Sequence, residues 1–184
     1  MVSPDNLINS LYQNSYRMLT KKTKNIYSGP IDAGYIKKIV TKVPTHKKYV
    51  SKETGATYDL AHAVDFICDE GTKVRASFDG EVVYVVDDMK KNYNHWQNSP
   101  LKEEEEDGNR VVLKHPNGEF SIYSHIRYKQ VLVRKGQMVK EGEILGYSGN
   151  TGLSIKPHLH FMVFIFPSKN KKDIQSLKIR WKEN

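Results

Sequence analysis

The sequence predicts a mainly β chain, an antiparallel β-sandwich or barrel-like domain with an N-terminal helical extension, and three observations carry that reading. From Ile31 onward, short β-branched or aromatic runs alternate with turn residues. Asp79-Gly80 and Asn117-Gly118 are hairpin signals between such runs. Before Ile31 the pattern is different: Leu7, Ile8, Leu11, Tyr12, Tyr16 and Leu19 recur every three to four residues between Pro4 and about Thr23, which predicts an amphipathic helix packed on the main domain.

Taken in order, the expected strands are Tyr35 to Val43, Ala63 to Cys68, Lys73 to Ala76, Gly80 to Asp87, Arg110 to Lys114, Phe120 to His125, Ile144 to Ser148 and His158 to Phe166. Glycines 136, 142, 146, 149 and 152 punctuate the second half. Between Asp87 and Asn109 lies a polar insertion with Tyr93, Trp96 and the acidic run Glu103 to Asp107. Its charge excludes it from the core, so it reads as a long surface loop bordering a cleft. The chain accordingly divides into an extension over 1–32, a main domain over 33–167 and a basic C-terminal strand or tail over 168–184.

With 184 residues and 38% hydrophobic content there is one ordinary core to build. Net charge is +8, which favours a polyanionic neighbour but also serves solubility alone. Cys68 is the single cysteine, excluding an intrachain disulfide and a cysteine-rich zinc knot, so any metal must be held by His and carboxylate. No stretch is long enough to span a bilayer. The N-terminal residues lack the basic start and apolar run of a secretory signal. A nucleic-acid partner, which needs aromatic residues interleaved with Lys and Arg on one face, is not expected.

Three segments carry chemistry. In His158-Leu159-His160 the strand period of two presents both imidazoles from one face, which suits one metal ligand and one proton-transfer group. Tyr123-Ser124-His125 ends another expected strand and brings a further imidazole. Asp65 interrupts the apolar run Ala63 to Ile67; an unpaired buried carboxylate is costly, so Asp65 needs a cation, a hydrogen-bond network or water. Gly146 to Gly152 lacks the Gly-Lys-Ser/Thr ending of a phosphate loop. Tyr93, Trp96 and Tyr128 are candidates to grip substrate at a cleft rim, or plain packing residues.

Together these segments resemble the lysostaphin-type (LytM-like) zinc metalloendopeptidases, which hydrolyse peptidoglycan. The resemblance rests on Ala63-Val64-Asp65-Phe66 followed by Gly71-Thr72-Lys73-Val74-Arg75-Ala76, on Val111 to Gly118, on Tyr123-Ser124-His125, on Lys135 to Gly152, and on the highly specific Pro157-His158-Leu159-His160-Phe161. It covers about Lys42 to Phe166. It implies that Asp65 and His160 are zinc ligands, that His125 and His158 activate water and stabilise the transition state, and that the substrate is a peptide crosslink of bacterial cell wall.

The departure concerns the third ligand, which in the common form is a His four residues before the aspartate; here that position is Ala61. His62 and His46 are the two candidates to replace it. His62 belongs to the opposite side of a regular strand from Asp65, whereas His46 lies 19 positions upstream in a loop whose geometry is adjustable, which favours His46. The expectation is therefore a monomeric Zn2+ endopeptidase acting on peptidoglycan peptides in cell wall or periplasm, beside anionic wall polymers. The alternative, raised by Ala61, is a zinc-free relative serving as a wall-binding module or as activator of another hydrolase.

Overall fold

In a computed structural model of the chain, the described residues are 21–94, 101–168 and 172–183. The helix expected from Pro4 lies almost wholly outside them. Over residues 21–32, where the extension is described, the helical expectation is corrected: the chain is extended, with isolated bridges pairing Lys22 with Lys178 and Tyr27 with Trp181. Its backbone is held by the buried Glu119 carboxylate, which accepts from the Lys24 N–H (2.5 Å), the Asn25 N–H (3.3 Å) and the Tyr27 hydroxyl (2.9 Å).

Fourteen strands follow among the described residues: β1 (Lys38–Val40), β2 (Lys48–Val50), β3 (Thr57–Asp59), β4 (Val64–Ile67), β5 (Lys73–Arg75), β6 (Gly80–Val86), β7 (Asn92–Tyr93), β8 (Asn109–Lys114), β9 (Phe120–Val131), β10 (Met138–Val139), β11 (Ile144–Ser148), β12 (Gly152–Leu153), β13 (His158–Ile165) and β14 (Ile174–Ser176). Twelve join one branched sheet that is antiparallel except for the β14–β3 pair; β12 and β7 form a separate parallel pair. No helix among the described residues is long and apolar enough to cross a membrane.

The centre of the sheet is β13. Its first half pairs antiparallel with β4 and its second half with β14, while β9 runs along the other edge. Because side chains alternate along a strand, Leu159, Phe161 and Val163 enter the main core with Val64, Phe66 and Tyr123, and His160, Met162 and Phe164 face the other way. Each fully buried Leu or Phe contributes roughly 1.5–3 kcal/mol. Trp181 closes the core end against Phe66 and Phe161, with ring centroids 6.0 and 5.8 Å away, and Tyr27 and Leu177 belong to the same cluster.

Asn117-Gly118 does form the β8–β9 hairpin, with Lys114 paired to Phe120. Asp79-Gly80 does not: β5 pairs with β11, and β6 pairs with β8 and β10, so this turn is a corner between layers. Strand β9 also does not stop at His125. There the backbone takes φ 63°, a left-handed conformation costing roughly 1–2 kcal/mol for a residue with a Cβ, and the strand bends away from β13 towards β11.

Candidate metal centre and cleft

Asp65 and His160 are register partners on β4 and β13. Their side chains emerge on the same face, and His160 Nδ1 lies 3.0 Å from Asp65 Oδ1. His46 comes from the loop before β2 and brings Nε2 to 3.3 Å from the same oxygen and 3.3 Å from His160 Nδ1. The His46 side chain is 2% exposed. A carbonyl accepts and never donates, so the 3.4 Å contact of His46 Nδ1 with the Thr41 carbonyl places the proton on Nδ1 and turns the Nε2 lone pair to the site.

The three donor atoms fit a small cation. Tetrahedral ligands at about 2.0–2.1 Å from an ion stand roughly 3.3–3.4 Å apart, and the observed edges are 3.0, 3.3 and 3.3 Å. His62 stands outside this group. It sits in the turn before β4, two residues before the inward-facing Val64, and its N–H donates to Ser176 Oγ at 3.1 Å.

His158 and His125 complete the constellation. His158 Nε2 is 3.8 Å from Asp65 Oδ1, and the His125 and His158 rings are 4.5 Å apart. His158 Nδ1–H donates to the Lys156 carbonyl at 2.8 Å, with Ser154 Oγ 3.1 Å away; His125 Nδ1–H donates to the Thr151 carbonyl at 2.7 Å. Both rings are thereby held in the tautomer that leaves Nε2 as the acceptor.

Electrostatics sort the four groups. Burial alone raises the Asp65 pKa, but the imidazoles of His160 and His46 beside it outweigh burial and hold the carboxylate ionised, well below its usual range. Burial lowers His160, yet its contact with Asp65 carries it above the ordinary histidine value. His125 is pushed well below that value by burial and by His158 and His160; His158 is pushed down by burial, against the attraction of Asp65.

Behind His125 is a support that sequence reading missed. Asn109 N–H donates to Thr151 Oγ1, and that hydroxyl donates to the Ile126 carbonyl, both at 2.9 Å. Gly108 (φ 63°) and Gly152 (φ 79°) lie back to back beside Thr151: a Cβ on Gly108 would stand 2.4 Å from the Thr151 carbonyl oxygen. The insertion after Asp87 is accordingly not merely a surface loop. Tyr93 lends its carbonyl to the Ser154 N–H (2.9 Å), Asn92 Nδ2 donates to the Asn150 and Ser154 carbonyls, and the short helix α1 (Glu103–Glu106) precedes Gly108. Tyr128 faces Lys90, 4.8 Å from the ring centroid, and Trp96 lies outside the described residues. A cleft of about 280 Å3, walled by Lys38, Val43, Ile155 and Lys156, opens onto the four site histidines and Asp65.

The chain is similar to known peptidases over part of its length. The chain is 36% identical over 104 residues to the peptidoglycan DD-endopeptidase ShyA of Vibrio cholerae, covering 56% of this chain and 20% of that protein. It is 36% identical over 101 residues to the glycyl-glycine endopeptidase ALE-1 of Staphylococcus capitis, covering 54% of this chain and 23% of that protein. The chain thus spans about a fifth of the length of these relatives. Its fold is shared with a zinc-containing peptidase from Vibrio cholerae, with a TM-score of 0.54 at 23% identity over 87% of this chain and 40% of the other. The family description that matches residues 60–175 is that of the M23 peptidases, and since it takes in more than half of the sequence, the chain belongs to Peptidase family M23, the lysostaphin-type peptidases.

Proposed function

We propose that this protein is a zinc endopeptidase that cuts peptide crosslinks of bacterial peptidoglycan, with His46, Asp65 and His160 as ligands and His125 and His158 as the proton-handling pair. The observation that carries the proposal is the near-tetrahedral spacing of the three donor atoms beside two imidazoles whose Nε2 atoms are free to accept. Zn2+ bound there supplies Lewis acidity towards the scissile carbonyl and brings the pKa of water towards about 7.

The side chains supply the rest. Burial keeps His125 and His158 neutral, so each is ready to take a proton from the attacking water and, once charged, to donate to the developing oxyanion or the departing amine. Their Nδ1–H bonds to backbone carbonyls fix the rings during that exchange. The cleft walls exclude bulk water from one side and give an extended peptide room to lie across the group. His46 takes the place of the histidine missing at Ala61.

The test is zinc content by elemental analysis in the wild type, His46→Ala and His62→Ala. The proposal expects about one zinc per chain in the wild type and in His62→Ala, and loss in His46→Ala. A wild type that takes up no zinc even when zinc is added supports the second reading, favoured by Ala61: a zinc-free module that binds cell wall.

A further inference from the structure

His160 also lines a second cavity, of about 400 Å3, whose other described lining residues are distinct from those of the first cleft. The floor is apolar. Ile122 of β9 and Met162 and Phe164 of β13 form it, and the Tyr49 and Tyr58 rings, 5.5 Å apart, stand in its wall. The rim is acidic, with Glu53, Glu103, Glu106 and Asp107 around the opening. Among the described residues none of the ion pairs engages these carboxylates. Arg110, the one Lys or Arg lining the cavity among the described residues, is turned to other work: its guanidinium donates to the Gly108 carbonyl (2.8 Å) and to the Tyr84 hydroxyl (3.4 Å).

Two further observations concern this face of the sheet: a shortage of positive charge in the cavity, and a buried hydroxyl beside His160. Burial, together with Asp107, Glu103 and Glu53, raises the Glu106 carboxyl pKa, and burial with Glu106, Asp107 and Glu103 raises the Tyr49 hydroxyl. Ser124 shares the cavity's face of the sheet with Ile122 and is paired across the strands with His160. It is fully buried, and among the described residues its Oγ has no hydrogen-bond partner.

We propose that this cavity is a subsite for an aliphatic side chain ending in a primary ammonium, carried by the peptide that lies across the metal group. The apolar floor takes the methylene stem and the carboxylate rim takes the ammonium. A bare metal cation would gain nothing from that floor. The first cleft carries Lys38 and Lys156 in its lining, so two cavities of opposite charge share His160 and give a peptide a preferred direction. The choice of substrate rests on the peptidase reading; the binding preference does not.

The experiment measures fluorescence anisotropy of the full chain with a fluorescein-labelled wall-type tetrapeptide carrying lysine at its third position, and with the same peptide acetylated on that lysine. The free amine is expected to bind roughly tenfold more tightly. In the Glu103→Gln/Glu106→Gln double variant, checked for its fold by thermal unfolding, the preference should shrink to within about twofold. Equal affinity of the wild type for the two peptides, including no measurable binding of either, overturns the subsite, and so does a preference that survives in the double variant. Hydrolysis of a crosslinked form of the peptide is scored separately. Amine-dependent binding without hydrolysis upholds the subsite and removes the peptidase reading, whereas hydrolysis indifferent to acetylation does the reverse.

Discussion

His160 and Asp65 are 95 residues apart in sequence and directly opposite in the β13–β4 ladder, which brings Nδ1 and Oδ1 to 3.0 Å. Their meeting is a consequence of strand register, since a slip of one residue would turn one of them into the core. The same ladder sets His158 opposite Ile67, beside the pair and not in it.

On the proposed roles, this arrangement separates ligand from proton carrier. Asp65→Ala and His160→Ala should lose bound zinc and activity together, while His125→Ala and His158→Ala should keep zinc and lose about 10²–10⁴ in kcat. Elemental analysis beside hydrolysis of a crosslinked wall peptide checks this. Equal zinc loss in all four would overturn the division of roles.

Gly108 should prove as important as a site residue although it carries no side chain. A Cβ there meets the Thr151 carbonyl at 2.4 Å, and that carbonyl holds His125 Nδ1. Gly108→Ala is expected to cost roughly 1–3 kcal/mol of stability and to lower kcat with zinc retained. Urea unfolding and zinc-loaded kinetics read the two effects independently.

His115 should tie stability to pH. Its Nδ1 lies 2.8 Å from the Asp79 carbonyl and its Nε2 3.0 Å from Ser121 Oγ, a neutral ring with both nitrogens satisfied, and burial lowers its pKa from 6.5. Below pH 6.5 the unfolded chain therefore takes up a proton that the folded chain refuses. The stabilisation is complete above that pH and is lost as pH falls towards the depressed folded value. His115→Gln should be less stable at pH 8 yet lose less than the wild type between about pH 7 and pH 5. Melting temperatures across that range decide it; parallel curves would show that His115 does not titrate there.

Glu119 should govern how firmly residues 24–27 are held. Glu119→Ala leaves the Tyr27 hydroxyl and two backbone N–H groups without their acceptor, at roughly 1–3 kcal/mol for each group that water cannot reach. Faster amide exchange confined to this segment is expected by mass spectrometry. Unchanged protection at Tyr27 would show that the aromatic packing of Tyr27 alone secures it.

Much of the site is legible in the amino-acid sequence. The alternation in His158-Leu159-His160, the lone carboxylate of Asp65 in an apolar run and the Asn117-Gly118 turn are written in neighbouring residues, because strand period and turn geometry are local. The β character follows from the same local signals. Not legible are the short strands β2 and β3, which rest on pairing more than propensity; the continuation of β9 past His125, which needs a left-handed residue; and the Thr151 support, which depends on two glycines 44 positions apart.

The choice between His46 and His62 shows where the boundary falls. Sequence by itself offered both as candidates and gave His62 the wrong strand parity. Only the tertiary structure decided that His46 arrives, through the turn in which its N–H bonds to the Val43 carbonyl and through the β2–β3 pairing that anchors Lys47 to Leu60. Parity is a property of adjacent residues and can be read along the chain. Convergence of three donor atoms on one point depends on long-range strand register and loop closure, and those are set by packing across the whole sheet.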